Sequence, residues 1–334
     1  MTLINKWRLI VGSSFFLLAV GVALIYKPPL VPEKLIIADA DQIVFSLLYV
    51  ADAQGYFKEE GVEVEYKQFA SGKDALNSVL SGESDVATVF STPVILAVLS
   101  GQPVKVLSTL HRSAKNTAIV ARRDCNIERI ADLRGKHIGV TRNTNADFML
   151  SVTLDSEGIP DNEVRISDIP PQRIAAALKS GEVDAIATWS PHVAKARVGL
   201  SSQATVTLTT PLYTEYSLLA TTASHIEPKK LALQRLMRAL VRAETYIANN
   251  NRESLDIVIK HLATQSPDLL VEPWKNTRFT LSIDNALLES MRLEAEWFTQ
   301  HGKSAKKELS LKTIIDSSFL QHIKPQGVLV REEP

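Results

Sequence analysis

The chain has 334 residues, more than one simple core requires, which suggests two domains or two lobes of one domain plus room for a targeting segment. Its 37 Lys plus Arg balance 37 Asp plus Glu, so no bulk field favours nucleic acid or an anionic membrane surface. The single cysteine, Cys125, excludes an intramolecular disulfide and a cysteine-based metal cluster, and its setting "RRDCNIERI" reads as a surface loop.

At the N-terminus, Lys6 and Arg8 precede the uncharged run "LIVGSSFFLLAVGVALIY" (9–26), and "KPPLVPEK" ends it with three prolines. As a helix the run spans about 27 Å, close to the roughly 30 Å of a bilayer core. It is therefore either a signal sequence or an anchor. No Ala-x-Ala cleavage site is evident near its end and no cysteine follows to take a lipid, which favours an uncleaved anchor within a segment 1–32. The basic residues then stay inside, and residues from about 33 onward face the periplasm.

The next elements alternate. A β-like run "KLIIAD" (34–39) leads through a polar loop to an apolar helical stretch closing at Gly55, a strand "VEVEYKQF" (62–69) and a helix over "SGKDALNSVLSG". There Ser71 serves as N-cap with Asp74 in the first turn, Ala75, Leu76, Val79 and Leu80 form one apolar face, and Gly82 ends the helix. About a hundred residues later the order repeats: "KHIGVT" (136–141), the loop "RNTN", a helix closing at Gly158, "EVRISDI" (163–169), and a helix opened by Pro171 and stopped by Gly181. Two nearly identical phrases follow these helices, "SGESDVATVFSTP" (81–93) and "SGEVDAIATWSP" (180–191). In each, an Asp precedes a short buried strand.

Strand alternating with helix is the sequence form of a parallel α/β sheet, so the duplication indicates two similar lobes. Functional loops of such sheets lie at the carboxyl ends of the strands. Those ends are 38–42, 70–72, 91–93, 141–145, 170–172 and 189–191, and facing lobes would bring them to one cleft. From about 228 the pattern turns helical, with Leu233, Leu236, Met237, Leu240, Val241 and Ile247 at amphipathic spacing, and a later helix from Asp284 carrying Leu288, Met291 and Phe298. This segment is read as the chain's return to the first lobe.

Motifs of catalysis are missing: no G-x-S-x-G, no phosphate loop, no G-x-G-x-x-G and no H-E-x-x-H occurs, and the seven histidines lie far apart. Reversible binding in the cleft is the better reading, with no cofactor, no metal and no catalytic residue expected.

The string "LLYVADAQGYFKEEGVEVEYKQFASGKDALNSVLSGESDVATV", with "RIADLRGKHIGV", "ALKSGEVDAIATWSP" and the export segment, resembles the periplasmic solute-binding proteins of ABC importers. Specifically, it looks like the nitrate/sulfonate/taurine group and the related thiamine-pyrimidine-precursor binders. The resemblance implies a type II periplasmic binding protein fold, two Rossmann-like lobes closing on a ligand by a hinge: lobe 1 over 33–120, lobe 2 over 121–212, and a return over 213–334. It implies a small-anion ligand, a permease and an ATPase as partners, and a monomer in the periplasm. Thr144 and Asn145 begin the second lobe's helix, where free backbone N–H groups favour an anion, and match the family's small polar residues at this turn. Arg142 is adjacent. The other candidates are Asp41 and Gln42 in the first loop, Ser71 and Gly72 after the second strand, Ser91 and Thr92, Trp189 as a cleft wall, and Tyr213 at the crossover. Many relatives carry an acidic residue at or beside Ser91, and its absence here counts against recognition of a ligand amine. His192 reads as structural. A pyrimidine binder, a membrane-anchored sensor and an enzyme of the same fold, with Asp39, Asp41 and His192 meeting, remain alternatives.

Overall fold

The computed structural model describes residues 31–263, 267–302 and 310–330. The expected anchor helix lies outside them; among the described residues no helix is long and apolar enough to cross a membrane.

The chain opens with three parallel strands, β1 (Glu33–Asp39), β2 (Val62–Gln68) and β3 (Val86–Phe90). Helices Ser46–Ala53 and Gly72–Leu80 fall between them, where the apolar run before Gly55 and the apolar face of Ala75, Leu76 and Val79 placed them. The long strand β4 (Val104–Ser113) then carries the chain to β5 (Thr117–Arg122) in a second sheet. That sheet gains β6 (His137–Val140), β7 (Arg165–Asp168), β8 (Ala185–Trp189) and β9 (Thr205–Leu208), in the order β7-β6-β8-β5-β9. The chain returns along β10 (Glu215–Thr222), which lies antiparallel between β3 and β4, and β11 (Arg278–Phe279) closes the other edge. Two short crossings, 114–116 and 209–214, therefore join the sheets. The parallel strands fall within two residues of their expected bounds. The antiparallel strands β4, β5, β9 and β10 had no such reading: β10 is buried at every position, so it shows no period-two alternation.

Two large cores hold the fold. In the first, helix Lys230–Asn249 lays Leu233, Leu236, Met237 and Leu240 against helix Ser46–Ala53. Each such side chain contributes roughly 1.5–3 kcal/mol on burial. The second core runs from Leu76, Val89 and Val94 of the first half through Ile119, Ile138 and Leu154 of the second to Met291 and Phe298.

That continuity corrects the expectation for the chain's return. Helix Asn285–Gln300 packs on helix Ser91–Leu99, yet its Trp297 ring meets Phe148 of the second lobe at 5.4 Å, and Trp297 Nε1 donates to Asp155 at 2.7 Å. It spans both lobes. Its apolar stripe is Leu287, Met291, Ala295 and Phe298, with Leu287 buried in place of Leu288, and Asp284 caps the helix by accepting from Leu287 N.

Candidate functional site

The duplicated phrase builds the same joint twice. Asp85 accepts from Ile36 N at 2.8 Å and Asp184 accepts from His137 N at 2.8 Å, each tying the turn after a helix to the neighbouring parallel strand, β1 or β6. The backbones repeat the bond in reverse, Asp85 N to Ile36 O and Asp184 N to His137 O. Both joints aim β3 and β8 toward the seam between the sheets. Gly72 permits the tight approach in the first lobe: a Cβ there would sit 2.9 Å from Val89 Cα.

At the seam the lobes touch. Lys73 Nζ donates to Arg142 O at 3.1 Å, and helix Ser91–Leu99 contacts helix Asn145–Ser156. The seam is buried and polar. Asn145 Nδ2 donates to Thr117 Oγ1 at 2.8 Å and reaches Glu215 Oε2 at 3.3 Å, while Thr117 Oγ1 also donates to Glu215. His111 Nε2 lies 3.7 Å from Glu215 Oε1. Further along, the Thr92 hydroxyl donates to Glu294, and Tyr213 packs edge-on to Phe148 at 5.7 Å. Phe45 meets Phe90 at 5.9 Å and Ser217 Oγ reaches Val44 O, which brings the loop holding Gln42 to the same seam.

The predicted residues separate into two groups. Ser71 caps its helix, donating to Asp74 Oδ2 at 2.7 Å and accepting from Asp74 N. The Thr144 hydroxyl donates to Thr141 O at 2.7 Å and makes no cap bond, while Arg142 Nη1 is held by the buried Asp147 carboxylate at 2.9 Å. Asn145 faces the Glu215 carboxylate, so the helix terminus assigned to an oxyanion adjoins the chain's own acid. In contrast, Gln42 keeps both amide atoms, Trp189 its Nε1 and Tyr213 its hydroxyl buried without a hydrogen bond. A buried polar atom left so costs about 1–3 kcal/mol unless a partner satisfies it. Trp189 is also core, 1% exposed, with His192 edge-on at 5.8 Å.

Sequence reasoning missed Glu215, Glu294, His111, Asn116 and Thr117. A signal for Glu294 existed, since it falls on the apolar stripe between Met291 and Phe298. Burial pushes both glutamates up to about 7, against hydrogen bonds from Thr117 and Asn145 in one case and Thr92 in the other. Burial lowers His111 to about 3, so it is neutral.

The first loop forms its own network. Asp39 is raised to about 6 by burial, opposed by bonds from the Tyr49 hydroxyl at 2.7 Å and Thr88 at 2.8 Å. Asp41, at φ 51°, lies 3.9 Å from His261 Nε2, and His261 stacks on Tyr49. Asp39, Asp41 and His261 have donor atoms within 4.8 Å of one another, but both Asp39 oxygens already accept hydroxyls. His192 is not part of this group. Beside the seam, a crevice of about 390 Å³ opens between Lys115 and Ser190 on one side and Asp268, Glu272 and Asn276 on the other. Ser190 N donates to Asn116 O at 3.0 Å, so the crevice adjoins the buried polar atoms.

Two α/β lobes joined by two crossings, with a polar seam between, define the periplasmic binding protein fold. The periplasmic aliphatic sulphonate binding protein SsuA of Escherichia coli matches with a TM-score of 0.72 at 17% identity, over 85% of this chain and 97% of its own. The NMT1/THI5-like family profile matches residues 42–254, and the chain belongs to that family. A Bacillus subtilis protein provisionally named an aliphatic sulfonates-binding protein is 24% identical over 284 residues, 83% of this chain and 84% of its own. The taurine-binding periplasmic protein of Escherichia coli is 29% identical over 145 residues, 43% of this chain and 45% of its own.

Proposed function

We propose that this protein is the solute-binding component of an ABC importer, capturing a small organic solute of the sulfonate or taurine type and delivering it to a membrane permease and its ATPase. The observation that carries the reading is the set of buried, unpartnered polar atoms supplied by both lobes, Gln42 from the first and Trp189 from the second. A solute held at the seam satisfies atoms that the fold alone does not, and so it stabilises the closed arrangement over the open one. The crossings at 114–116 and 209–214 act as the hinge, and the closed form docks on the permease as a monomer. The names of the relatives support the solute class. We assign the run 9–26 to the export of the chain to the periplasm and to its tethering at the inner membrane.

The test is a thermal-shift and titration series on the full chain with alkanesulfonates, taurine, nitrate and aminopyrimidines. A bound solute at about a hundred times its Kd adds roughly 2.7 kcal/mol of stability. The double variant Thr144→Ala/Asn145→Ala should weaken binding at least tenfold, since Asn145 orders Thr117 and Glu215. No shift with any solute would sink the reading.

A further inference from the structure

The seam is acidic in a way that balanced overall charge conceals. Glu215 and Glu294 are each 1% exposed and come from unrelated elements, the hinge-side end of β10 and the lobe-spanning helix Asn285–Gln300. Each has one oxygen engaged, Glu215 by Thr117 and Asn145, Glu294 by Thr92. Glu215 Oε1 and Glu294 Oε2 make no hydrogen bond. Burial first, and then the charges of Glu294 and Glu215, keep the Tyr213 phenol protonated, so both acids act on this one ring. Among the described residues no lysine or arginine forms an ion pair with either glutamate; Arg235 is the one buried Lys or Arg, and it donates to Gly61 O. Arg142, the cation nearest the helix terminus, is held by Asp147.

We propose that the solute's recognised group is a hydrogen-bond-donating nitrogen, an amine or amidine-like group bearing positive charge, received between Glu215 and Glu294, and that a bare oxyanion does not suffice. The inference rests on the solute-binding reading above. Two carboxylates with free acceptor oxygens and no counter-cation match a group with several N–H donors, whereas an oxyanion there is tolerated only while both carboxyls stay protonated and is repelled once either ionises. The unpartnered donors Trp189 Nε1 and Gln42 Nε2 are left for an acceptor elsewhere on the solute. The groups facing Glu215 are His111 from β4, Asn116 and Thr117 at the crossing, Asn145 and Tyr213; those facing Glu294 are Ser91, Thr92 and Tyr213. None is cationic, since His111 is neutral, so a cationic solute must itself draw the glutamates into the ionised form. Affinity for it therefore rises with pH through about 7.

Isothermal titration of the full chain at pH 7.5 separates the possibilities, with taurine and 4-amino-2-methylpyrimidine as nitrogen-bearing probes and propanesulfonate and nitrate as probes without N–H donors. The expected result is that a nitrogen-bearing probe binds at least tenfold more tightly than either donor-free one, and that Glu215→Gln and Glu294→Gln each reduce that preference at least tenfold. Propanesulfonate or nitrate binding as tightly as the nitrogen-bearing probes overturns the inference and leaves solute capture standing. Binding by no probe overturns both. Should either variant fold poorly, the wild-type ranking of the four probes is sufficient to uphold or overturn the inference.

Discussion

The two copies of the repeated phrase use one joint and end differently. In each, an aspartate ties the turn to the neighbouring strand, Asp85 to Ile36 and Asp184 to His137. After that the first copy presents two hydroxyls, Ser91 and Thr92, to a buried glutamate, and the second presents the Trp189 ring to the core. What repeats is therefore the means of aiming a strand at the seam, and what differs is the chemistry delivered there. Repetition in this sequence marks architecture; specificity lies where the copies diverge.

The largest break in the comparison should come from Trp189→Ala. Its ring is 1% exposed, and such a truncation costs roughly 3–5 kcal/mol. Urea unfolding of the variant measures it. A loss below about 1 kcal/mol would show that the ring walls the site rather than supports the core.

The two acids give the next effect, through pH. A carboxyl raised from 4.5 to about 7 by burial contributes stability that is full below 4.5 and lost as pH rises through 7, about 3 kcal/mol for each group. His111 acts in the opposite direction, its contribution being full above 6.5 and lost as pH falls toward about 3, so the wild-type profile mixes both. The difference between Glu294→Gln and wild type isolates one acid. The variant should gain on wild type between pH 4.5 and 8, read from melting temperatures without solute; a constant difference across that range would place Glu294 in contact with water.

These acids also show what was legible in the sequence. The parallel strands, their helices and the caps at Ser71 and Gly181 follow from local signals, because periodicity, a capping hydroxyl and a C-terminal glycine act within a few residues. The crossing strands gave none, since burial on both faces removes alternation. Within the site, Gln42, Ser91, Trp189 and Tyr213 were visible as strand-end or crossover residues. Glu215 was not, and Glu294 showed only as an acid on an apolar stripe, because bringing the two to one ring, Tyr213, depends on a helix some 80 residues downstream folding back across both lobes.

The joint itself can be tested next. Asp85→Ala and Asp184→Ala each remove a charged acceptor from a backbone N–H, at a cost of roughly 1.5–3 kcal/mol. Asp85 is 7% exposed and also pairs with Lys229 at 3.1 Å, so its loss should be the larger. Equal losses in chemical denaturation would mean that the lysine pair adds nothing.

The smallest effect separates a cap from a contact. The first lobe's helix after its second strand begins at Ser71, whose hydroxyl serves Asp74 as both donor and acceptor; the second lobe's equivalent begins at Pro171 and has no side-chain cap. Ser71→Ala should therefore cost about 1 kcal/mol of stability, and Pro171→Ala less. With its oxygen committed to the helix, Ser71 has little left for a solute, so affinity for whichever probe binds should change less than twofold. A tenfold loss of affinity at unchanged melting temperature would return Ser71 to the binding surface and make the first lobe's cap, unlike the second's, part of the site.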